Sequence, residues 1–211
     1  DRNLVVGQVY GSTETAPTSI HLRIDAANEH PGSCGKPSPL TQLRIVDSEG
    51  RDVSPGTSGE LWVKGPNILS RYWNNPVATQ EAITDGWFHT GDIGHRDPDG
   101  WVYIDDRKKD MIISGGENIY PAELEEILND SSFFSEVTVV GIKDEQWGEI
   151  PIVLGVSASD EKPSDGTIFE LFNTRVAKFK HPKRLIWMAE LPRNAMGKVL
   201  KHELKAILKR D

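Results

Sequence analysis

The hydrophobic pattern of the chain changes at a basic tripeptide, residues 107–109. Before it, short apolar runs alternate with turn residues, which is typical of antiparallel strands. After it, strand-like runs are separated by helical spacings, one of which begins at a proline. We therefore predict a mixed α+β fold with a β-rich part at residues 1–106, a hinge at residues 107–110 and a small α+β domain at residues 111–211.

The individual elements are predicted from apolar periodicity and from turn residues. The predicted strands are 5–10, 43–47, 59–64, 92–97, 101–105, 111–114, 136–142, 152–157 and 184–189, and the predicted helices are 76–83, 121–128, 167–179 and 201–210. The turn at residues 97–100 makes a hairpin of the strands that flank it. If Asp97 pairs with Gly100, then Asp92 faces Asp105, and Arg107 lies two residues beyond.

Charge is distributed unevenly along the 211 residues. The formal net charge is −8, but residues 175–211 carry +8 and residues 1–174 carry −16. A basic segment on an acidic body favours a site for a compact anion such as a nucleotide, and a solvated lysine face explains the same charges. Nucleic acid is not an expected partner, because the acidic body would repel a long phosphate backbone.

Several classes of site are excluded by residue counts and spacing. The single cysteine, Cys34, rules out a disulfide framework and a cysteine metal cluster, and it makes a reducing, cytoplasmic location the expectation. The six histidines lack metal-binding spacings, and neither a nucleophile elbow nor a Walker loop is present. The longest apolar runs are too short to be a transmembrane segment.

Two groups of polar residues in the first part predict contacts to a nucleotide. Thr13 and Glu14 place a hydroxyl beside a carboxylate, which could hold a phosphate oxygen and Mg²⁺, but residues 11–14 taken alone favour the alternative, a plain turn. Asp92 and Arg107 could hold a ribose diol and a phosphate, with a surface ion pair as the alternative.

The second part holds the other candidate residues. The loop of Gly115 and Gly116 suits either a phosphate cradle or a tight turn with positive φ. Trp147 could stack on a base. Residues 179–184 place four basic or titratable side chains around a proline, which suits a phosphate rim. Lys198 stands in a Pro/Asn/Gly loop, where it is expected to be mobile.

These residues, in this order, closely resemble the adenylate-forming (AMP-binding) acyl-CoA synthetases over essentially the whole chain. The resemblance rests on Tyr10-Gly11-Ser12-Thr13-Glu14-Thr15, Gly59-Glu60-Leu61, Tyr72-Trp73, His89-Thr90-Gly91-Asp92, Asp106-Arg107-Lys108-Lys109-Asp110, Ser114-Gly115-Gly116-Glu117-Asn118-Ile119-Tyr120-Pro121 and Pro192-Arg193-Asn194-Ala195-Met196-Gly197-Lys198. It implies the β-rich end of a large N-terminal domain followed by a small C-terminal lid domain. His89 and Arg71 depart from the commonest residues of the family at their positions.

The resemblance also implies a reaction and a set of roles. ATP·Mg²⁺ would activate a carboxylic acid to an acyl-adenylate, and coenzyme A would then displace AMP after the small domain rotates. The implied catalytic residues are Thr13 at the α-phosphate, Glu14 at Mg²⁺ and Lys198 between the acid and the α-phosphate. The implied nucleotide and coenzyme A residues are Tyr10, Gly11, Asp92, Arg107, Gly116, Trp147, Phe179, His181 and Lys183, and the implied hinge residue is Lys109. The Gly115-Gly116 loop is then expected to line the passage for the thiol arm and not to cradle phosphate.

The resemblance leaves the acid and the acceptor open. The pattern is most like fatty-acid ligases, but aryl and dicarboxylic acid ligases share the motifs. A carrier-protein thiol is the alternative acceptor, and a non-catalytic nucleotide-binding module is the alternative class. The phosphate loop and most of the acyl pocket of the family lie upstream of Asp1, so we expect this chain to be a fragment that is inactive alone. Dimers are common in the family, which makes a homodimer one expectation.

Overall fold

The computed structural model describes residues 6–209. Contacts divide the chain into two compact units, of which the first ends at Lys108 and the second begins at Lys109. The division falls within the predicted hinge at residues 107–110. The fold is mixed α+β, as the sequence predicted. None of the helices in the described residues is long and apolar enough to cross a membrane.

The first unit is built on an antiparallel sheet. Its elements are β1 (Gln8–Tyr10), β2 (Ile20–Leu22), β3 (Ser33–Pro37), β4 (Gln42–Val46), β5 (Gly59–Lys64), α1 (Pro76–Ala82), β6 (Ile83–Thr84), β7 (Trp87–Arg96) and β8 (Val102–Arg107). The strand order is β1-β2-β3-β8-β7-β5-β4, with β6 paired to β7. The start of the predicted strand 5–10 lies outside the described residues, and β2, β3 and β6 were not predicted.

The core of the first unit comes from alternate residues of its strands, because successive side chains of a strand point to opposite faces. Its buried cluster consists of Ile20, Cys34, Ile45, Leu61 and Val102. Burial raises the pKa of the Cys34 thiol to about 12. The only cysteine is therefore a packed, protonated side chain rather than a reactive one.

The hairpin of β7 and β8 differs in register from the prediction. Asp97 N–H donates to Trp101 O at 2.9 Å, so the turn is one residue longer than a pairing of Asp97 with Gly100. A bulge between Ile93 and Gly94 shifts the register by one more residue. Asp92 consequently faces Arg107 and not Asp105. The observed register, unlike the predicted one, places the two candidate site residues directly opposite each other.

The second unit has a five-stranded sheet with helices. Its elements are β9 (Ile112–Ser114), β10 (Glu117–Ile119), α2 (Pro121–Asn129), β11 (Phe134–Asp144), β12 (Gly148–Ser157), α3 (Asp165–Glu170), β13 (Arg184–Trp187) and α4 (Lys201–Leu208). The order is β10-β9-β12-β11, and β13 runs parallel to β12. The strand β10 was not predicted, because its first two residues, Glu117 and Asn118, were assigned to the glycine turn.

Both faces of this sheet are buried, which explains the continuous apolar runs of β11 and β12. On one face, Val139 and Val153 pack with α2 and with Ile168 of α3. On the other face, Val140 and its neighbours in β12 pack with Leu191 and with Leu204 of α4. Adjacent residues of one strand thus belong to two separate cores.

Two helix predictions need correction. The predicted helix 167–179 is α3 alone, which ends at Glu170 and continues as a series of tight turns that place Phe172 in the core. The residues after Phe172, Asn and Thr, favour turns over helix, and a separate 3-10 turn follows at Lys178–Lys180. The helix predicted at 201–210 ends at Leu208, and Lys201 forms an ion pair with Glu125 at 2.8 Å instead of joining a solvated lysine face. The last residue of the predicted helix 201–210 lies outside the described residues.

A stacked pair of rings joins β5 to β7 in the first unit. The Trp62 and His89 rings lie 4.0 Å apart at an interplanar angle of 13°. The His89 Nε2 atom is buried without a hydrogen-bond partner. Burial lowers the pKa of His89 below its ordinary value, with a smaller contribution from the Lys108 ammonium. The protonated imidazole is therefore less favourable in the folded protein than in the unfolded chain.

Replacement of Phe172 tests the core of the second unit. Phe172→Ala removes a fully buried ring and should lower the free energy of unfolding by about 3–5 kcal/mol. Met196→Ala is the matched control, since Met196 is 92% exposed. Urea denaturation followed by tryptophan fluorescence measures both. Equal stability of the two variants would show that Phe172 is not a core residue.

Replacement of His89 tests its lowered pKa. Because the folded pKa is lowered, the unfolded chain binds a proton more readily, so the folded state loses stability as pH falls below about 6.5. His89→Phe keeps the stack on Trp62 and removes the titrating group. The difference in melting temperature between wild type and His89→Phe should therefore move in favour of the variant as pH falls. His202→Gln, on the exposed side of α4, is the control; an unchanged difference across the pH range would contradict the prediction.

Candidate functional site

The first unit has a cleft of about 490 Å³ where the loop after β1 meets β7 and the end of β8. Five of the predicted residues line it: Tyr10, Gly11, Glu14, Asp92 and Arg107. They come from three separate segments of the chain. The register of the β7–β8 hairpin and the pairing of β1 into the same sheet bring them together.

Asp92 is the centre of this cleft. The Tyr10 hydroxyl donates to Asp92 Oδ2 at 2.6 Å, and Arg107 Nε lies 2.7 Å from Asp92 Oδ1. The Asp92 side chain is 10% exposed. A carboxylate has about four acceptor positions, so each oxygen can accept a further hydrogen bond from a bound diol. Asp92 is therefore a hydrogen-bond acceptor fixed by two neighbouring side chains, and not only one half of a surface ion pair.

Tyr10 is a fixed hydrogen-bond donor in this cleft. Burial raises its pKa far above the ordinary value, and the Asp92 carboxylate raises it further. The hydroxyl therefore stays protonated wherever the protein is folded. Gly11, the next residue, leaves no room for a side chain, because a Cβ there would lie 1.7 Å from Pro17 O.

Glu14 supplies an ionised carboxylate. Its pKa is lowered by its own backbone N–H, and then by the Ser12 and Tyr72 hydroxyls. The Tyr72 hydroxyl donates to Glu14 Oε1 at 3.1 Å. No cluster of three His, Cys, Asp or Glu residues that could hold a metal occurs in residues 6–209. A Mg²⁺ here would have one carboxylate ligand and take its other ligands from water and phosphate, which suits that ion.

Thr13 is placed differently from the other predicted residues of this part. It begins a 3-10 turn at Thr13–Thr15, its side chain is exposed, and it does not line the cleft. Thr15, which was not predicted, is buried and closes the turn: its hydroxyl accepts from Ser12 N–H at 2.8 Å. The segment Thr13–Thr15 is therefore a turn, which is the alternative structure that the sequence offered for it.

Sequence reasoning gave no role to several residues that also line the cleft, among them Glu60, His89 and Lys108. Lys108 Nζ lies 2.9 Å from Glu60 Oε2, and the Glu60 side chain is 9% exposed. Lys108 N–H also donates to Gly91 O at 2.9 Å. The last residue of the first unit is thus held by both its side chain and its backbone. Glu60 belongs to the motif Gly59-Glu60-Leu61, which contributes to the family resemblance, but sequence reasoning assigned this carboxylate no role.

Lys109 and Lys198 line one cleft of about 360 Å³ within the second unit. Both side chains are exposed, and neither forms an ion pair with another residue in the described range. The cleft also contains His202 and Lys205 from α4 and one acidic residue, Asp110. Its chemistry therefore favours an anion.

The glycine loop of the second unit lies against Trp147. Gly115 N–H donates to Trp147 O at 2.7 Å, and a Cβ on Gly115 would lie 3.1 Å from the Trp147 ring. Gly115 and Gly116 have φ values of 60° and 86°. The turn with positive φ, rather than a helix N-terminal cradle, is therefore the observed geometry. Trp147 remains half exposed beside this glycine turn.

The basic segment after Trp147 is only partly available. Phe179 is 40% exposed and Lys183 is exposed, but Lys180 Nζ is held by Glu123 at 2.7 Å. His181 is half-buried, with its ring 6.1 Å from that of Phe172. Lys183 N–H donates to Pro151 O at 2.9 Å, which places this segment near the beginning of β12, the end of that strand where Trp147 also lies.

Comparison with known families gives two matches. Residues 2–73 match the AMP-binding enzyme family, and residues 123–198 match the AMP-binding enzyme C-terminal domain. The first match includes Tyr10–Glu14 and the second includes Trp147, His181 and Lys198. Each match thus contains candidate residues from one of the two units.

Similar proteins are named as coenzyme A ligases. Indoleacetate–CoA ligase of Aromatoleum aromaticum is 44% identical over 209 residues, which are 99% of this chain and 41% of that protein. A 2-succinylbenzoate–CoA ligase of Bacillus mycoides is 43% identical over 208 residues, which are 99% of this chain and 43% of that protein. The chain therefore spans about two fifths of the length of these relatives.

Solved structures give the same result. The o-succinylbenzoate CoA synthetase MenE of Bacillus subtilis, in complex with the acyl-adenylate intermediate OSB-AMP, has a TM-score of 0.88 at 38% identity, over 96% of this chain and 41% of that one. ATP-bound MatB of Rhodopseudomonas palustris has a TM-score of 0.90 at 33% identity, over 99% of this chain and 42% of that one. The sequence motifs, the family matches and these structures show that the chain belongs to the AMP-binding, adenylate-forming acyl-CoA synthetase superfamily and carries its C-terminal domain.

Proposed function

We propose that the protein carrying this chain is an acid–thiol ligase. It activates a carboxylic acid with ATP·Mg²⁺ to an acyl-adenylate, releases pyrophosphate, and transfers the acyl group to coenzyme A with release of AMP. The observation that carries the proposal is the Asp92 carboxylate, held between Tyr10 and Arg107 in the cleft of the first unit. A buried acceptor with two remaining lone pairs is suited to the 2′ and 3′ hydroxyls of a ribose.

The other groups of the cleft suit the phosphates of ATP. Glu14 is the carboxylate ligand for the Mg²⁺ that enters with ATP. The exposed Thr13 hydroxyl lies outside the cleft lining but next to Glu14 in the chain, and it binds the α-phosphate. Arg107 keeps part of its guanidinium exposed beside Asp92 and adds a positive charge next to the nucleotide. Solved relatives bound to ATP and magnesium support this set of substrates.

Lys198 acts in the first half-reaction. When the acid oxygen attacks the α-phosphate, negative charge grows between the two groups, and an ammonium already placed there stabilises the transition state more than the ground state. The exposed Lys198 side chain has no competing ion pair among the described residues. It is therefore available to bind both anions at once.

Lys109 is the residue at which the second unit rotates between the two half-reactions. Lys108 is anchored to Gly91 and Glu60, whereas Lys109 is exposed and begins the second unit. The first backbone torsions that can change freely are therefore those of Lys109. The rotation would withdraw Lys198 and bring the coenzyme A residues into use.

Coenzyme A is the proposed acceptor because aromatic and basic groups lie at one end of β12. Trp147 and Phe179 can stack on or cover the adenine, and His181 and Lys183 can bind its phosphates. Gly116 lines the passage for the thiol arm, since its turn is open and a side chain would narrow it. The names of the relatives, all coenzyme A ligases, favour free coenzyme A over a carrier-protein thiol.

The proposed acid is an aromatic or aryl-alkanoic carboxylic acid. The relatives are named for indoleacetate and 2-succinylbenzoate. None of these names specifies a fatty acid, so the fatty-acid expectation from the sequence gains no support from them. Fatty acids therefore enter the experiment as competitors.

A substrate panel on the full-length protein tests the proposal. The protein is incubated with ATP·Mg²⁺ and aryl, aryl-alkanoic, fatty or short acids, with and without coenzyme A, and pyrophosphate, AMP and acyl-CoA are measured. Acyl-CoA from an aryl acid supports the proposal. Pyrophosphate release without acyl-CoA identifies a carrier-protein acceptor, and no turnover together with retained ATP binding identifies a nucleotide-binding module.

Lys198→Ala should separate the two half-reactions. Loss of one charge that acts only in the transition state should lower the rate of adenylation by about 10²–10³-fold. Conversion of a preformed acyl-adenylate to acyl-CoA should stay within about twofold of wild type, which lies inside the usual scatter of a surface change. Lys209→Ala, on the same unit, is the control. Equal loss in both half-reactions would remove Lys198 from its assigned role.

His181→Ala combined with Lys183→Ala should raise the KM for coenzyme A. Loss of hydrogen bonds to phosphate should cost about tenfold or more in KM, while the KM for ATP stays unchanged. Lys178→Ala, an exposed lysine of the neighbouring 3-10 turn, is the matched control. An unchanged KM for coenzyme A in the double variant would place the coenzyme A site elsewhere.

A further inference from the structure

The loop that carries Lys198 is a closed, hydrogen-bonded hairpin. Arg193 and Val199 form an antiparallel bridge. Asn194 N–H donates to Lys198 O at 3.0 Å, and Gly197 N–H donates to Asn194 O at 2.9 Å. Two residues separate Asn194 from Gly197, so the tip is a tight turn. The backbone of Lys198 is therefore hydrogen-bonded within a hairpin.

The Asn194 side chain fixes the inside of this hairpin. Its Oδ1 accepts from Met196 N–H at 3.0 Å and from Lys198 N–H at 2.9 Å. Two amides of the turn are thus bound by a single side-chain oxygen, in the way that a cap satisfies a helix end. The loss of this oxygen would leave the Lys198 amide to solvent alone.

Arg193 ties the hairpin to the sheet. Its Nη1 donates to Gly197 O at 2.5 Å, and its Nη2 donates to Glu136 Oε2 at 2.7 Å. Glu136 belongs to β11, so the guanidinium links the tip of the loop to a central element of the unit. The planar fork of arginine can bind two acceptors in fixed directions, which a lysine cannot do.

The stem of the hairpin is rooted in the core on both sides. Leu191 precedes it and Leu204 follows it, and both are buried in one cluster with Val140. Leu200 N–H donates to Pro192 O at 2.8 Å across the base. The position of Lys198 relative to the sheet is thereby set from the core outward.

We infer that Asn194 and Arg193 are positioning residues for Lys198. They hold its backbone in the geometry in which its ammonium reaches the reacting groups, and neither touches those groups. Because the backbone is already ordered, less conformational entropy is lost when Lys198 engages. The inference rests on the role proposed for Lys198 and adds to it: the lysine moves with the whole unit, not by bending its own loop.

The test compares Asn194→Ala, Asn194→Asp and Met196→Ala in the full-length protein. Asn194→Ala should lower kcat for adenylation by about 10–100-fold, the range for a misplaced catalytic group. It should leave the KM for ATP and the conversion of preformed acyl-adenylate unchanged. Asn194→Asp keeps an acceptor for both amides and should restore most of the rate. Met196→Ala, which removes an exposed side chain from the same turn, should have no effect.

Amide hydrogen exchange gives a readout that does not depend on activity. The Met196 and Lys198 amides should exchange faster in Asn194→Ala than in wild type, and Asn194→Asp should return them toward the wild-type rate. Faster exchange with an unchanged adenylation rate would overturn the positioning role. Unchanged exchange would show that Asn194 does not hold the turn, which also overturns it.

Arg193→Lys separates positioning from charge. It keeps the positive charge but cannot bind Gly197 O and Glu136 together, so the adenylation kcat should fall about tenfold and the transfer step should be spared. A wild-type rate would exclude Arg193. If Lys198→Ala itself leaves adenylation intact, the proposed function of Lys198 and this inference both fail. If Lys198→Ala abolishes adenylation and Asn194→Ala does not, only the inference is wrong.

Discussion

The pairing of Asp92 with Arg107 across β7 and β8 is the constraint on which the candidate nucleotide site depends. It exists because a longer turn and a bulge at Ile93–Gly94 together shift the hairpin by two residues. The same register places Lys108 N–H on Gly91 O and ends the first unit there. A one-residue slip would turn every side chain of β8 to the opposite face. The longer turn and the bulge thus set both the pairing of Asp92 with Arg107 and the point at which the first unit ends.

Local chemistry predicted most of the elements, and long-range contacts explain the failures. The strand β5 has the predicted bounds, and α1 and α2 begin at the predicted prolines. Two failures have separate causes: a longer turn and a bulge set the hairpin register, and the helix predicted at 167–179 ends early because Phe172 is buried by a turn instead of a helix face. Short strands such as β2 and β6 have too few residues to show a period.

Site residues that lie in recognisable motifs could be predicted from the sequence. Residues whose role depends on a partner from another strand could not. Tyr10, Glu14, Asp92 and Arg107 meet in one cleft because the motifs that contain them end at the same region of the sheet. Glu60 and Lys108 were missed because a carboxylate in β5 and a lysine just after β8 reveal their pairing only once the strands are assembled. The family matches show membership, but the role of each residue still has to be argued from its contacts.

In the basic segment, residues 175–211, only some of the positive side chains are available to bind an anion. The sequence left open a local anion site or a solvated lysine face. Several of its cations are already paired, Lys180 with Glu123 and Lys201 with Glu125, and Arg193 is committed to Gly197 O and Glu136. Such pairs contribute little free energy at a surface, but they neutralise those cations and hold the chain around Lys183 and Lys198. Lys183 and Lys198, which form no ion pair within residues 6–209, are therefore displayed on a framework held by the paired cations.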